Sequence, residues 1–558
     1  MNNMSSEKLF SSDELVFVPL GGSGEIGMNA NLYHYKDRWL MIDLGISFAD
    51  DDMPGVDVIL PDIDFIAERR DRLDAIILTH AHEDHFGAIP YLWDRLKVPV
   101  YGTAFTIALL KRKLAEQRYE HKIPLHVLDY NIDFKLGPFS LELVQLNHSI
   151  PDPAAIVLST DRGRVLHTGD WKFDATPHLG HDTDKDRLKV IGDGGVLAMV
   201  GDSTNAMVEG RTASEDSVRV GLTEVIKKAE NRVVITCFAS NVARIDSILK
   251  AAQANDRSVC IVGRALNRTI AAAQDAGYLD DMPDLVSETD FELIPRENIV
   301  LICTGSQGEP RAAMSRIAAG QHDTVKLSSG DCVVYSSRQI PGNEAAINRV
   351  QDMLINQGVE LITDEDGPVH VSGHPARDEM IEMYSLVRPQ IAIPVHGTAR
   401  HLKAHAELAM SCQVKQTLIP GNGSIISLGS SGAAQISSVD VTPQTQASGV
   451  VISAQDDMLK SRRRMLWNGS LSASLVLDAS GELMQAPSVC QTGICPELQA
   501  DGFCADASLA IEDEVNKLSD ADIDNDGAVR NAVMRSLRGL TRSRYRLRPI
   551  IDVHIIRI

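Results

Sequence analysis

Over residues 15–201 the hydrophobic positions fall in short runs divided by turn residues: LVFVPL, WLMIDLG, AIILTH, FSLELVQL, RVLHTGD and VLAMVGDS. Runs of this length, rich in Val, Ile and Leu, predict strands, so the region reads as a β-rich layer with helices between. Over residues 203–358 the rhythm changes. There VVITCFAS, SVCIVG, IVLICTG and CVVYSS are nearly unbroken apolar runs separated by helical stretches, the pattern of a largely parallel sheet covered on both faces. VHVSGHP and IAIPVHG then return to the first pattern, which makes the middle domain an insertion.

Residues 430–449 combine Ser, Gly, Ala, Gln and Thr with one Pro and read as a linker. The expected organisation is a first domain in two parts, 1–204 and 359–430, an inserted α/β domain at 205–358, a linker at 431–449 and a small α+β domain at 450–558.

Composition narrows the class. A chain of 558 residues is long enough for two or three domains with their own cores. Hydrophobic residues at 44% and charged residues at 23% are ordinary for a globular protein, and no apolar run approaches a membrane span. The polar start, residues 1–10, lacks the apolar core of a secretory signal. Eight cysteines, several inside apolar runs, suit buried free thiols in a reducing cytoplasm. Cys490, Cys495 and Cys504 cluster without the spacing of a zinc knuckle. A net charge of −22 argues against a protein that coats nucleic acid through its overall field. It leaves room for a local basic channel: Arg535, Arg538, Arg542, Arg544, Arg546 and Arg548 have no acid among them, and Arg462, Arg463 and Arg464 form a second cluster. The competing reading is a solvated face balancing the acidic run at 512–526.

The decisive segment is Thr79-His80-Ala81-His82-Glu83-Asp84-His85, where the strand AIILT ends and an amphipathic stretch with Ile89, Leu92 and Leu96 begins. Alternation along a strand end aims His80 and His82 one way, and the following turn sends Asp84 and His85 to a neighbouring position. One segment can thus feed two metal ions, zinc or manganese by ligand type, that activate water against a phosphorus or a carbonyl. Further ligands stand at strand ends: His148 after LELVQLN, Asp170 in HTGD and His396 in PVHG.

HxHxDH, an isolated His and HTGD together resemble the metallo-β-lactamase superfamily. The resemblance implies an αββα sandwich, one metal on His80, His82 and His148, a second on Asp84, His85 and His396, and Asp170 bridging. It matches Asp43 in MIDLG to an organiser of the ligand loop. Asp202 in GDSTNA, FASN at 238–241, CTGSQGEP, IPGNE, HVSGH and PVHG resemble the β-CASP nucleases, and most closely the bacterial ribonuclease J group, over nearly the whole chain. That implies a cytoplasmic 5′-to-3′ exoribonuclease on single-stranded RNA with a 5′-monophosphate, with endonuclease activity, acting in RNA maturation and decay as a homodimer or homotetramer. His370, Val371, Ser372, Gly373 and His374, with Ser240 and Asn241, are the expected phosphate pocket. His374 is the candidate for assisting the leaving oxygen and Asp84 for orienting the attacking water, with Asp202 in support. Thr398 and Ala399 depart from the family, which commonly has an acidic and an aromatic residue there.

Two motifs fit other chemistries less well. GSGEIG at 22–27 spells GxGxxG, but the next segments, NANLYHY and WLMIDLG, read as strands, so a glycine turn near the metals fits better than a dinucleotide site. DIDNDG at 522–527 begins like a calcium loop, yet its twelfth position is Val533. A thioesterase or lactonase with the same centre would leave the inserted domain and HVSGH unexplained, and a non-catalytic RNA-binding subunit would leave the complete ligand set unexplained.

Overall fold

The computed structural model describes residues 10–49, 53–117, 122–340, 342–447 and 449–558. The chain forms two compact units, Met1–Ser47 with Leu60–Pro443 and Phe48–Ile59 with Gln444–Ile558.

The first unit contains an eight-stranded sheet with Leu15–Gly21, Ala30–Tyr35, Arg38–Ile42 and Leu73–Ile77 at its centre, and a seven-stranded sheet built around Phe139–Gln145, Ala154–Thr160, Gly163–His167, Ala198–Asp202 and Ile391–Val395. Phe17, Tyr33, Ile42 and Ile77 from the first sheet pack with Ile156, Leu158, Val200 and Ile393 from the second in one buried core. Burying each such side chain contributes about 1.5–3 kcal/mol. On its other face the second sheet presents Val157, Leu166 and Met199 to Leu188, Met383 and Leu408 of three helices. That is the sandwich expected of a metallo-β-lactamase domain.

Between Ala198–Asp202 and Ile391–Val395 the chain builds a six-stranded, all-parallel sheet that includes Val233–Thr236, Ser258–Val262, Ile299–Cys303 and Cys332–Tyr335. These strands are apolar at nearly every position because helices cover both faces. This is the inserted α/β domain.

Strand polarity positions the chemistry. Gly163–His167, Ala198–Asp202 and Ile391–Val395 run parallel in register, Val165 beside Ala198 and Ala198 beside Ile391, so Asp170, Asp202 and His396 leave one edge of the sheet. In the facing sheet Arg38–Ile42 runs parallel to Leu73–Ile77 with Ile42 beside Ile77, which brings Asp43 next to the Thr79–His85 segment. Both sheets deliver functional side chains at the carboxyl ends of parallel strands, where open α/β sheets commonly place their sites.

In the second unit Ser470–Leu477 pairs parallel with Ile550–Arg557 and antiparallel with Ser488–Thr492. Leu471, Leu475, Phe503, Ile511, Val533 and Leu537 form its core beneath helices Glu497–Val515 and Asp526–Tyr545. This is the expected α+β domain. Residues 522–527, which begin like a calcium loop, run from the short helix Asp520–Ile523 into the start of helix Asp526–Tyr545.

Residues 431–449 correct the sequence reading, because much of this segment is strand rather than linker. Gly432–Ser438 pairs antiparallel with Ser424–Gly429 at the edge of the eight-stranded sheet, and Gln444–Ala447 pairs with Val450–Ser453 in the second unit. An edge strand with most side chains in solvent needs few apolar residues, so Ser, Gln and Ala here imitate a linker. A second correction concerns Phe48–Ile59, read as part of the first domain. Val56–Leu60 joins the sheet of Gln444–Ala447, with Val56, Ala447 and Leu459 in a small shared core.

Candidate metal centre and active site

The strand Leu73–Ile77 ends two residues before Thr79, and His82 stays extended before the short helix Glu83–Phe86 turns Asp84 and His85 away. Glycines permit the crowding. A Cβ on Gly45 would stand 1.7 Å from the Asp84 carbonyl oxygen, and one on Gly373 would stand 2.7 Å from the His148 ring. His396 adopts a left-handed backbone at φ 52°, which its amide stabilises by donating to Gly22 O at 2.6 Å. The glycine run at 22–27 is therefore a turn that carries a site residue.

Two side-chain groups result. His80, His82, His148 and Asp170 place one ligand atom each within 4.8 Å of one another, and so do Asp84, His85, Asp170 and His396, with Asp170 common to both. In the first, His82 Nδ1 lies 3.0 Å from His80 Nε2 and 3.1 Å from His148 Nε2. In the second, His396 Nε2 lies 3.0 Å from an Asp84 oxygen, and His85 Nε2 lies 3.3 Å from Asp170 Oδ1. A third group, Asp170, Asp202 and His374, adjoins them.

The opposite ring nitrogens are occupied. His85 Nδ1 donates to Asp43 Oδ2 at 2.7 Å, His148 Nδ1 to Gly373 O at 2.6 Å, and His80 Nδ1 to the Thr79 hydroxyl at 3.0 Å. Asp43 also accepts from the Thr79 amide and hydroxyl, both at 2.8 Å, and so ties down the start of the loop. Such contacts fix each tautomer and turn the free lone pair toward the centre.

The donor set fits two divalent ions. Asp170 Oδ1 is buried with no well-aligned hydrogen bond and only the His85 ring, at 3.3 Å, opposite it, a costly state for a carboxylate oxygen unless a cation meets it. Burial first, then the neighbouring rings, holds His80 and His148 well below the usual histidine range. Burial also brings His82 down to about 4. These rings are neutral at pH 7, the form that ligates metal. On the other side burial is outweighed: Asp170 and the hydrogen bond to Asp84 lift His396 to about 9, and Asp170, Asp84 and Asp43 lift His85 well above its ordinary value. Without metal, protons occupy a place where carboxylate charge calls for cations. His80, His82, His148 and Asp170 could hold one ion, and Asp84, His85, His396 and Asp170 the other.

The expected phosphate pocket is in part brought to the centre. Gly373 and His374 adjoin His148, and His374 Nδ1 donates to Asp202 Oδ2 at 2.8 Å. Ser372 Oγ accepts from Asn205 Nδ2 at 2.9 Å, and His370 Nδ1 faces Arg244 Nη1 at 3.4 Å. Asn241 is different: it is buried, and its side-chain oxygen caps helix Val242–Gln253 by accepting from Arg244 N at 2.9 Å. Ser240 is half-buried just before that helix, and the Val371 side chain is buried. Thr398 and Ala399 start helix Ala399–Ser411, where Thr398 Oγ1 lies 3.0 Å from His401 Nδ1.

Four residues that contact the site escaped sequence reasoning. Thr204 contacts both Asp202 and His396, and Asn205 bridges Ser372, the His374 carbonyl and Arg338. Arg244 is fully buried, pairs with Glu215 at 2.6 Å and donates to Ser336 and to Val369 O, supporting the 369–374 loop from below. Thr204 and Asn205 follow Asp202 directly, the one signal that could have found them. Arg244 and Arg338 stand in helical and loop contexts that do not distinguish them from ordinary surface arginines.

Two facing sheets with a shared-carboxylate His/Asp centre at their strand ends define a hydrolase of the metallo-β-lactamase class. Residues 24–213 match the metallo-beta-lactamase superfamily, 230–354 the ribonuclease J beta-CASP domain, 368–420 the Zn-dependent metallo-hydrolase RNA specificity domain and 457–558 the ribonuclease J C-terminal domain. Over 555 residues the chain is 43% identical to ribonuclease J of Sinorhizobium meliloti, covering 98% of each chain. It is 37% identical to ribonuclease J of Mycolicibacterium smegmatis, covering 97% of this chain and 96% of that one. A solved structure of a protein of unknown function from Enterococcus faecalis shares the fold, with a TM-score of 0.55 at 16% identity over 75% of this chain and all of that one. The chain belongs to the ribonuclease J family, and it is a metal-dependent ribonuclease of RNA processing.

Proposed function

We propose that this ribonuclease removes nucleotides 5′ to 3′ from single-stranded RNA with a 5′-monophosphate, and also cuts internally. The observation that carries this reading is the 370–374 loop fixed beside the His/Asp centre. One residue from the Gly373 contact to His148, Ser372 Oγ accepts from Asn205 Nδ2 and His374 N and so keeps its hydroxyl proton to donate, beside the His374 ring. Burial, then the charges of Arg244, Arg338 and Lys172, press His370 down to about 3. The field that keeps this ring neutral also attracts a terminal phosphate.

Bound divalent ions would supply Lewis-acid stabilisation of the charge that grows on the scissile phosphate. The chain's residues supply the proton traffic. Asp202, with Asp170 behind it, outweighs burial and raises His374 above the usual histidine range, so its Nε2 holds a proton for the leaving oxygen. Asp84 is half-buried, and His85 and His396 outweigh its desolvation and keep it ionised, so it can orient the attacking water. His80, His82, His148, Asp170, Asp84, His85 and His396 are the proposed metal ligands, Ser240 and residues 370–374 the proposed phosphate contacts, and zinc or manganese the proposed ion. The compartment is a reducing cytoplasm, in keeping with the free buried thiols Cys237, Cys260, Cys303 and Cys332. The assembly is a homodimer or homotetramer.

The test is digestion of one RNA labelled in its 5′-terminal nucleotide and carrying a monophosphate, a triphosphate or a hydroxyl there. Chelator-sensitive release of labelled mononucleotide, fastest from the monophosphate, is expected. Equal release from all three ends would remove the phosphate pocket, and internal fragments alone would remove the exonuclease.

A further inference from the structure

The C-terminal unit carries a surface that the metal centre leaves unexplained. Helix Asp457–Asn468 ends in RRRMLWN, and its Trp467 is 73% exposed. Such exposure is unusual for a tryptophan, which packs against the core in most settings. Arg464, Trp467 and Asn468 share a helical face by their spacing of three and four. Asn468 joins this face to the end of helix Asp526–Tyr545: its Nδ2 donates to Arg464 O at 3.2 Å and its Oδ1 accepts from Arg548 N at 2.9 Å. Arg546 and Arg548 are exposed there. Arg535, Arg538 and Arg542 continue the arginines back along the solvent side of helix Asp526–Tyr545, at spacings of three and four.

Among the described residues none of Arg464, Arg535, Arg538, Arg542, Arg546 or Arg548 makes an ion pair, whereas Arg544, on the same helix, pairs with Asp506 at 2.7 Å. In a chain of net charge −22, exposed arginines without ion pairs, reaching from the end of one helix to an exposed indole on another, form an island of opposite sign.

We propose that this island is a docking surface for single-stranded RNA, in which the arginines meet backbone phosphates and Trp467 stacks on a base. Charge selects the occupant. A polyanion neutralises the arginines and releases counterions, and an exposed aromatic beside them is the device by which single strands are held without regard to sequence. A second copy docking through the same patch would set arginine against arginine, because a two-fold interface is self-complementary in position and not in charge. The inference rests on RNA being the substrate, and extends it to a contact outside the pocket that holds the 5′ end.

The test uses the full chain in chelator, so that RNA is bound and not cut. A 30-nucleotide polyuridine labelled at its 3′ end serves as the probe, followed by fluorescence anisotropy at several salt concentrations. Trp467→Ala is expected to weaken binding roughly tenfold, and Trp467→Phe to retain most of it. The triple variant Arg464→Gln, Arg546→Gln, Arg548→Gln is expected to make the slope of log affinity against log salt shallower by about 2. Wild-type affinity and slope in both variants would overturn the docking surface while leaving the nuclease reading intact. No binding of the probe by wild type would strike the RNA reading itself. A change in oligomeric state on light scattering, with RNA affinity unchanged, would assign the patch to a protein interface and overturn the proposal.

Discussion

The Thr204 hydroxyl lies 2.9 Å from His396 Nδ1 and 2.7 Å from Asp202 Oδ1. Its one proton goes to the carboxylate, so it accepts from His396 Nδ1–H and leaves Nε2 facing Asp84, a donor to that carboxylate in the metal-free protein and free to ligate once the proton is lost. Thr204→Val removes both contacts at nearly constant volume. We expect roughly 10- to 100-fold weaker metal binding at the Asp84–His85–His396 group and recovery in Thr204→Ser, measured by competition with a chromophoric chelator. Wild-type affinity in the valine variant would mean that the strained His396 backbone alone sets the ring.

Gly45 is a steric gate for the metal loop. Its added Cβ would stand 1.7 Å from Asp84 O and 2.6 Å from His85 N, both backbone atoms that cannot rotate away. Gly45→Ala therefore forces the Glu83–Phe86 turn to move. Loss of one metal equivalent and about 2–4 kcal/mol of stability are expected, by elemental analysis and denaturant unfolding.

His374 touches Asp202 and adjoins Asp170, but its proposed work is proton delivery. His374→Ala is expected to lower turnover by roughly 10²- to 10⁴-fold while metal content and RNA affinity stay within about twofold of wild type. His82→Ala and Asp84→Ala should instead lose cleavage together with metal. Metal loss in His374→Ala would move that residue into the ligand set.

His405 is buried between Ser203 Oγ at 2.9 Å and Tyr384 OH at 2.8 Å, and burial brings it down to about 4. The unfolded chain binds a proton near pH 6.5 and the folded chain does so only near pH 4, so stability from this site is constant above about 6.5 and falls as pH drops through that window. The loss amounts to roughly 3 kcal/mol once His405 is forced to protonate. The midpoint of metal-free wild type is expected to fall more steeply from pH 7 to pH 5 than that of His405→Gln. Parallel curves would show that His405 charges without cost.

The two His/Asp groups were legible because histidines and aspartates at strand ends, as in HxHxDH and HTGD, are brought together by the fold. The inserted sheet was legible because parallel strands buried on both faces leave unbroken apolar runs, as in Ile299–Cys303. What stayed hidden depends on long-range contact. The strand Gly432–Ser438 looks like a linker because an edge strand needs little apolar surface. Val56–Leu60 belongs with residues nearly four hundred positions away. That the Asn241 side-chain oxygen serves a helix N-cap is visible only in the fold. Arg244 shows no periodicity or neighbour that marks it as the support of the 369–374 loop.

The central claim is that the paired His/Asp groups sharing Asp170 are the catalytic centre for RNA cleavage. Its most direct test is to strip the protein with chelator and titrate zinc or manganese back, following bound metal and cleavage of 5′-monophosphorylated RNA on the same samples. Cleavage that appears as the second equivalent binds, and that Asp170→Asn never regains, is the expected result. Full cleavage by the stripped protein, or by Asp170→Asn with both metals bound, would contradict it.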